Sequence, residues 1–303
     1  MKRLYNLDTL KCIAALMVIY IHTQSNEYIL LITRTAVPIF FLISVFFYTP
    51  MSFNKQIRKL LSFTCAFLLF YILIQLAIYG KIFLTNLFTT KNIINFLLVN
   101  STTCVGEPLW YLPASIYALT ILHFFAKRKK TTILFLIVPL LLIINAILAN
   151  TGHIARYRNF LFTGLPYITI GYFIVQYKSI IREKLIRISP IFMLLILLIL
   201  SYSEYLIYQT LKLTYIRDHY ISTTFLSVYI FILASLLLKQ KRTAYISYIG
   251  QNLSGIIYGI HFLIVPFVFL FLPKLGSIRF IIVFLISTAI AFLINKVIST
   301  FKN

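Results

Sequence analysis

Long apolar runs recur along the whole chain and constrain its fold more than any other feature. A helix needs about 20 apolar residues to cross the roughly 30 Å hydrocarbon core of a bilayer. Runs of about that length, each bounded by charge, occur at 7–24, 35–49, 60–79, 109–125, 131–149, 159–177, 189–208, 221–238, 254–272 and 279–298. Only 11% of the 303 residues are charged, against about 25% in soluble domains. The sequence therefore predicts an all-α integral membrane protein with about ten transmembrane helices.

Two segments depart from this pattern. The run at 35–49 is short for a crossing, so we expect it to be tilted, thinned or only partly embedded. Segment 86–99 is apolar but interrupted by Asn, which favours an interfacial helix over an eleventh crossing. We expect one transmembrane domain over residues 1–303, with no appended soluble domain.

The charge balance is strongly basic, with 28 Lys and Arg against six Asp and Glu. In a soluble chain this excess would suggest nucleic acid, but here the cations lie between apolar runs and no nucleic-acid motif appears. With the N-terminus inside, and with Lys11 left aside because it lies within the first run, 18 cations fall in inner segments and nine in outer ones. This bias follows the positive-inside rule and predicts cytoplasmic N- and C-termini. We expect contact with the lipid bilayer, no nucleic acid and, from three cysteines without CxxC spacing, no metal.

The first run carries three ionisable residues, Asp8, Lys11 and His22. Such groups inside a span are costly and are functional by default. At 100° per residue, Lys11 and His22 are about 20° apart on the helix, and Asp8 is within about 40° of His22. All three therefore share one face, which we expect to point into the bundle, with Lys11 near the inner surface and His22 near the outer one. Taken singly, His22 also fits an interfacial histidine and Lys11 a cation that extends to the inner interface.

Several pieces of the chain, in order, resemble the membrane-bound acyltransferase family 3. The first is LDTLKCIAALMVIYIH at 7–22, in which ten residues separate a cation from a histidine. Further landmarks are Arg34 with AVPIFFLIS at 36–44, Lys55 with Arg58, LWYLP at 109–113, RNF followed by GLPYITIGY at 158–172, and IYGIH at 257–261. The family usually has Gly after Ser44, whereas this chain has Val45, which puts a close backbone approach there in doubt.

The resemblance implies ten spans and a class of enzymes that O-acylate cell-surface glycans. It implies transfer of an acyl group, acetyl or succinyl, from cytosolic acyl-CoA to an extracytoplasmic glycan or lipid-linked sugar. His22 would be the catalytic base or the acyl acceptor, with Lys11 and Asp8 beside it. The expected donor is acetyl-CoA first among acyl-CoAs, and the expected location is the bacterial plasma membrane, with glycan-synthesis machinery as a further partner.

A basic group on the inner side is a candidate for donor binding. Clustered Lys and Arg suit phosphates, so Lys55, Arg58 and Lys59 are predicted to hold the phosphates of acyl-CoA. The same residues also fit a plain topology determinant.

Outer residues are candidates for acceptor binding. Glu107 with Trp110 and Tyr111 suits a sugar, because aromatic rings stack on it and a carboxylate bonds its hydroxyls, although an aromatic belt at the interface fits equally. The remaining candidates are Arg34, Arg156, Arg158 and His261, which also fit helix-end anchors and, for His261, a structural hydrogen bond. His123 and His153 are predicted at loop edges, and His219 in solvent.

Two other classes of function remain open. A transporter or flippase of lipid-linked glycan also suits ten spans with a few inward charges, and broken helices near the midplane would favour it. A receptor or assembly scaffold for polysaccharide synthesis leaves Asp8, Lys11 and His22 without explanation.

Overall fold

The computed structural model describes residues 4–23, 26–151, 153–211, 219–241 and 243–300, and only the backbone of Ser277. Every regular element in these ranges is helical, which confirms the all-α prediction. Helices suit a chain in lipid because each satisfies its backbone hydrogen bonds internally. Six of the cations counted for topology, Lys2, Arg3, Lys212, Arg217, Arg242 and Lys302, lie outside the described residues.

The first half of the chain forms eight helices and one 3₁₀ turn. They are α1 Tyr5–Thr23, α2 Glu27–Thr33, α3 Ala36–Phe46, α4 Phe53–Tyr79, α5 Lys81–Leu87, α6 Thr90–Val99, the turn Glu107–Trp110, α7 Tyr111–Lys127 and α8 Thr131–Ala149.

The described residues of the second half form eight more helices, three π-helical turns and one 3₁₀ turn. They are α9 Ile154–Tyr157, the π-turn Phe160–Gly164 leading into α10 Leu165–Gln176, α11 Lys178–Leu185, α12 Pro190–Thr210, α13 Ile221–Ile232 continuing as the π-turn Leu233–Leu237, α14 Ala244–Tyr248, the π-turn Ile249–Leu253, α15 Ser254–Phe271, the 3₁₀ turn Pro273–Ile278 and α16 Arg279–Thr300.

All ten predicted runs fall on helical segments, but the number of crossings differs from the number of runs. Within the described residues, seven stretches are long and apolar enough to span a membrane, or nine if each of two bent helix pairs is one span. Helix α1 is not among them because its charged residues lower its mean hydropathy, and Ile221–Leu237 has only 17 residues. Segment 86–99, predicted as interfacial, covers the end of α5 and all of α6, and these two helices meet at 55°.

The second span differs from its prediction. The structure gives an apolar helical stretch of 20 residues, Glu27–Phe46, made of α2 and α3. It begins before the predicted start at residue 35 because Asn26 caps α2, its side chain accepting a hydrogen bond from the amide of Ile29. The predicted start of the second span was therefore wrong, whereas its depth in the bilayer stays a prediction.

The chain divides into two compact units. The first comprises the described residues of Met1–Phe40, Lys178–Ile207 and Ser222–Asn303. Its central helix is α1, which packs against α15, α16, α14 and the π-turn Ile249–Leu253. Ala14 and Ala15 are buried there, and such small side chains let neighbouring membrane helices approach closely.

The second unit comprises Phe41–Tyr177 and the described residues of Tyr208–Ile221. Helix α7 is central in it and packs against α4, α10 and the π-turn Phe160–Gly164, while α8 packs on α10. Ala114 and Ala118 face these contacts fully buried, so α7 is the counterpart in this unit of α1 in the first.

Candidate functional site

Helix α1 carries a buried ion pair in its first turns. The Nζ of Lys11 lies 3.2 Å from Oδ1 of Asp8, one turn earlier. Asp8 is only 6% exposed, whereas 22% of the Lys11 side chain is accessible. Burying a charged group is costly unless it is paired, so this pair explains how a carboxylate and an ammonium share one helix inside the unit.

The backbone of α1 at Asp8 is in direct contact with the π-turn Ile249–Leu253. A Cβ added to Gly250 would lie 1.6 Å from the carbonyl oxygen of Asp8, so only glycine fits. The hydroxyl of Thr9 adds hydrogen bonds to those of Thr243 (2.9 Å) and Ser247 (3.2 Å). This end of α1 is thereby fixed against the start of α14 and the turn that follows it.

The other end of α1 places His22 against α15. The ring of His22 lies 5.2 Å from that of His261 and 5.4 Å from that of Phe262, centroid to centroid. His22 is partly exposed, whereas His261 is fully buried. Nδ1 of His261 lies 2.7 Å from the carbonyl oxygen of Tyr258. The structure thus brings together two histidines that sequence analysis had considered separately.

The three ionisable residues of α1 are therefore directed towards packed elements of the same unit. The helix is continuous from Tyr5 to Thr23, so Lys11 and His22 are separated by a rise of about 16 Å along its axis. His22 faces α15 rather than lipid alone. The arrangement offers an ion pair at one end and an imidazole, able to accept a proton or an acyl group, at the other.

Arg34 lies elsewhere than the sequence suggested. It was counted with the outer cations, but it follows α2 within the helical stretch Glu27–Phe46 and is only 8% exposed. A cation inside a span is costly and is functional by default. Hydropathy alone did not place Arg34 inside the apolar run, because the polar Thr33 and Thr35 flank it and lower the local hydropathy.

The basic residues of α4 lie in its first two turns, which side-chain contacts hold in place. Lys55, Arg58 and Lys59 are all exposed. Between them, Gln56 donates from Nε2 to the carbonyl oxygen of Ser44 at 2.5 Å. The side chain of Ser52 makes no capping bond to the first amides of α4, and uncapped helix N-termini attract anions. Position, charge and exposure together suit a phosphate group.

His123 contributes to this support, contrary to its prediction as a loop-edge residue. It lies within α7, where its ring stacks on Phe53 at 3.8 Å. Its Nδ1 is 2.9 Å from the hydroxyl of Tyr48. Burial, with a smaller contribution from Tyr172, raises the pKa of Tyr48 to about 12, so this hydroxyl keeps its proton at neutral pH.

Glu107 and Arg158 form an ion pair in the second unit, Nη1 to Oε1. Both residues were predicted from the sequence to bind the acceptor. No local pattern pairs them, because they are 51 positions apart. The position of Arg158 is set by its neighbour Asn159. The Asn159 carboxamide accepts from the amides of Leu161 and Phe162 and donates to the carbonyl oxygen of Arg156.

A second amide braces the same segment from α8. Nδ2 of Asn145 lies 2.8 Å from the carbonyl oxygen of Phe162 and 3.0 Å from Oγ1 of Thr163. Asn145 is fully buried. Its place in the middle of a long apolar run is the sequence signal that could have identified it, since a polar group there needs a partner.

The aromatic residues beside Glu107 are core residues. Trp110 and Tyr111 are each 9% exposed, and Phe41 packs against both, 4.6 Å from Tyr111 edge-on and 6.0 Å from Trp110. Their ring faces are therefore engaged within the unit. Arg156, in contrast, is exposed at the end of α9.

His219 is buried rather than solvated as expected. It is 4% exposed, and its Nδ1 lies 3.2 Å from the hydroxyl of Tyr167 in the first turn of α10. Glu27, which sequence analysis passed over, receives a hydrogen bond from the hydroxyl of Tyr205. Its place as the first residue of α2 was the available signal, because acidic residues favour helix N-termini.

Comparison with known proteins is consistent with this architecture. The model of acyltransferase family 3, described as an acyltransferase domain, matches residues 4–296. No curated protein and no solved structure matches the chain. Because the family match covers nearly the whole sequence and the described chain is helical with at least seven candidate spans, the protein belongs to acyltransferase family 3 and is a multi-pass membrane acyltransferase.

Proposed function

We propose that the protein transfers an acyl group, acetyl or succinyl, from cytosolic acyl-CoA to a hydroxyl of an extracytoplasmic carbohydrate in the bacterial plasma membrane. The observation that carries this proposal is the placement of His22, directed at α15 and about three helical turns from the buried Asp8–Lys11 pair. The lone pair of a neutral imidazole can accept a proton or an acyl group. His22 acts either as the general base on the hydroxyl or as the transient acyl acceptor.

Donor binding is proposed at the start of α4. The phosphates of coenzyme A carry several negative charges, and Lys55, Arg58 and Lys59 are exposed beside an uncapped helix N-terminus. The contacts of Phe53 with His123 and of Gln56 with Ser44 hold this turn in place. A preformed site loses less conformational entropy when it binds its ligand.

Acceptor recognition is proposed at arginines. Arg34 is a buried cation within a span, and Arg156 is exposed. Both suit a carboxylate or phosphate on the acceptor. Glu107 and Arg158 neutralise each other, and the rings of Trp110 and Tyr111 are engaged by Phe41, so these four contribute to shape more than to direct contact with a sugar.

The test of the reaction is His22→Ala, with His153→Ala as the matched control because His153 is an exposed histidine outside the predicted spans. We expect mass spectrometry of envelope glycans to show acylation lost with His22→Ala and retained with His153→Ala, at equal protein levels. Retained acylation with His22→Ala would contradict the assignment.

The donor site is tested by calorimetric binding of acetyl-CoA to protein in nanodiscs. We expect Lys55→Gln with Arg58→Gln to weaken binding, and raised salt to weaken binding to the unaltered protein. The control is Lys129→Gln with Lys130→Gln, which removes two exposed cations from another loop on the predicted cytoplasmic side. Equal weakening by both pairs would show a general charge effect rather than a site.

A flippase of lipid-linked glycan is the second candidate function. The bend of 55° between α5 and α6 favours it, because broken helices form substrate sites in many transporters. In that case His22→Ala would leave acylation intact, whereas substitutions in α5 or α6 would block export of the polymer.

A further inference from the structure

His261 has one ring nitrogen engaged and the other without a partner. A carbonyl oxygen can only accept a hydrogen bond, so Nδ1 of His261 must donate its proton to Tyr258, 2.7 Å away. An unpaired charge is costly in a fully buried position, so the ring is neutral. Nε2 therefore presents a lone pair, and it has no hydrogen-bond partner among the described residues.

Such an unused acceptor is unusual. Leaving a buried acceptor unpaired costs free energy because the acceptor loses its hydrogen bonds to water, so a fully buried nitrogen of this kind calls for a donor. The side chain that can supply an N–H here is His22, whose ring centroid is 5.2 Å away at an interplanar angle of 41°. Two imidazole rings at that separation reach hydrogen-bond distance when a nitrogen of each faces the other.

We propose that His261 is the positioning residue of His22. Nε2 of His261 accepts the N–H of one His22 nitrogen and so selects a single tautomer, which places the lone pair on the other His22 nitrogen. The inference rests on the proposed function, in which that second nitrogen takes the hydroxyl proton or the acyl group. Because His261 is fully buried and His22 is partly exposed, only His22 meets the substrate.

Phe262 completes the arrangement as a wall. It meets the His22 ring edge-on, at 76° and 5.4 Å between centroids, and has no hydrogen-bonding group. It can limit ring rotation but cannot select a tautomer. Substitutions of His261 and Phe262 are therefore expected to have different effects on the His22 tautomer.

The test is nitrogen NMR of the full chain in nanodiscs, with ¹⁵N-labelled histidine and the His22 signals assigned from their loss in His22→Asn. We expect one His22 tautomer, with scalar coupling across an N–H···N hydrogen bond to His261. In His261→Leu we expect mixed tautomers and a transfer rate about 10–100-fold lower, comparable to the effect of losing the partner that orients a metal-bound histidine. His261→Gln, whose amide oxygen can replace the Nε2 acceptor, should recover most of the rate.

Phe262→Leu is the control, since it trims a ring against His22 without removing an acceptor, and it should keep the single tautomer. An unchanged His22 tautomer in His261→Leu, or absence of the coupling in the unaltered chain, overturns the proposal. The coupling is measured in the unaltered chain without substrate, so this part of the test does not depend on whether any variant folds. Absence of acyl transfer by the unaltered protein would instead overturn the proposed function.

Discussion

Val45 of α3 lies directly against Gly171 of α10. A Cβ on Gly171 would come within 2.6 Å of Cγ1 of Val45 and 3.1 Å of the carbonyl oxygen of Leu42. Val45 is almost fully buried. The sequence resemblance predicted Gly at the position of Val45, so the presence of Val put a close approach of helices there in doubt. The structure shows that the small residue is on the opposite helix.

This relationship predicts that Gly171→Ala destabilises the protein through overpacking, by about 1–3 kcal/mol, even though Ala is the better helix former. Val45→Ala in the same chain should relieve the clash, so the double variant should be more stable than the two single effects predict. Thermal unfolding in detergent measures this. Gly164→Ala is the control because its nearest atoms are at 3.3 Å. Additive effects of Gly171→Ala and Val45→Ala would show that the two positions do not interact.

A stronger effect is expected at Gly250, where the nearest atom to an added Cβ is backbone. The carbonyl oxygen of Asp8 would be 1.6 Å away, and no side-chain rotation can relieve that overlap. We expect Gly250→Ala to move α1 away from the π-turn, with a larger loss of stability than Gly171→Ala. The yield of monodisperse protein after detergent extraction checks this. A stability equal to that of Gly164→Ala would mean that α1 is not held at this point.

Membrane class and helical architecture could be predicted from sequence because apolar length and low charge decide both. The face shared by Asp8, Lys11 and His22 was predictable for the same reason, since helix geometry is local. The start of the second span was missed because Arg34 and its threonine neighbours lower the local hydropathy. In the structure the hydroxyls of Thr33 and Thr35 donate to backbone carbonyl oxygens one turn earlier, so these polar residues fit within the helical stretch.

Pairings between distant segments could not be predicted in the same way. The ring contact of His22 with His261 joins α1 to α15, and the ion pair of Glu107 with Arg158 spans 51 residues. No local pattern encodes such pairs, since they depend on how the helices pack. His219 was predicted in solvent for a related reason, because its partner Tyr167 is distant in the sequence.

The Asp8–Lys11 pair allows folding to be separated from chemistry. Lys11→Met removes the ion-pair partner of a buried carboxylate, which costs about 3–5 kcal/mol in a fully buried pair and less here because Lys11 is 22% exposed. We expect Lys11→Met with Asp8→Asn to recover most of the lost stability but not acyl transfer. Thermal unfolding and transfer assays on the same preparations measure both. Recovery of transfer as well would assign the pair a purely structural role.

The ion pair of Arg158 with Glu107 is expected to fix the segment around the π-turn rather than to bind substrate. Glu107→Gln should cost only about 1 kcal/mol, because 36% of the Glu107 side chain is exposed. Glu107→Arg should cost more, since it places two arginines together, and adding Arg158→Glu should recover the loss by reversing the pair. The control Arg156→Glu changes an exposed neighbour and should alter stability by less than about 0.5 kcal/mol. If the exchanged pair regains stability yet the KM for an anionic acceptor rises strongly, Arg158 contacts the substrate after all. The exchange preserves the ion pair and reverses only the charges at the two positions, so a rise in KM would report the charge that the acceptor meets.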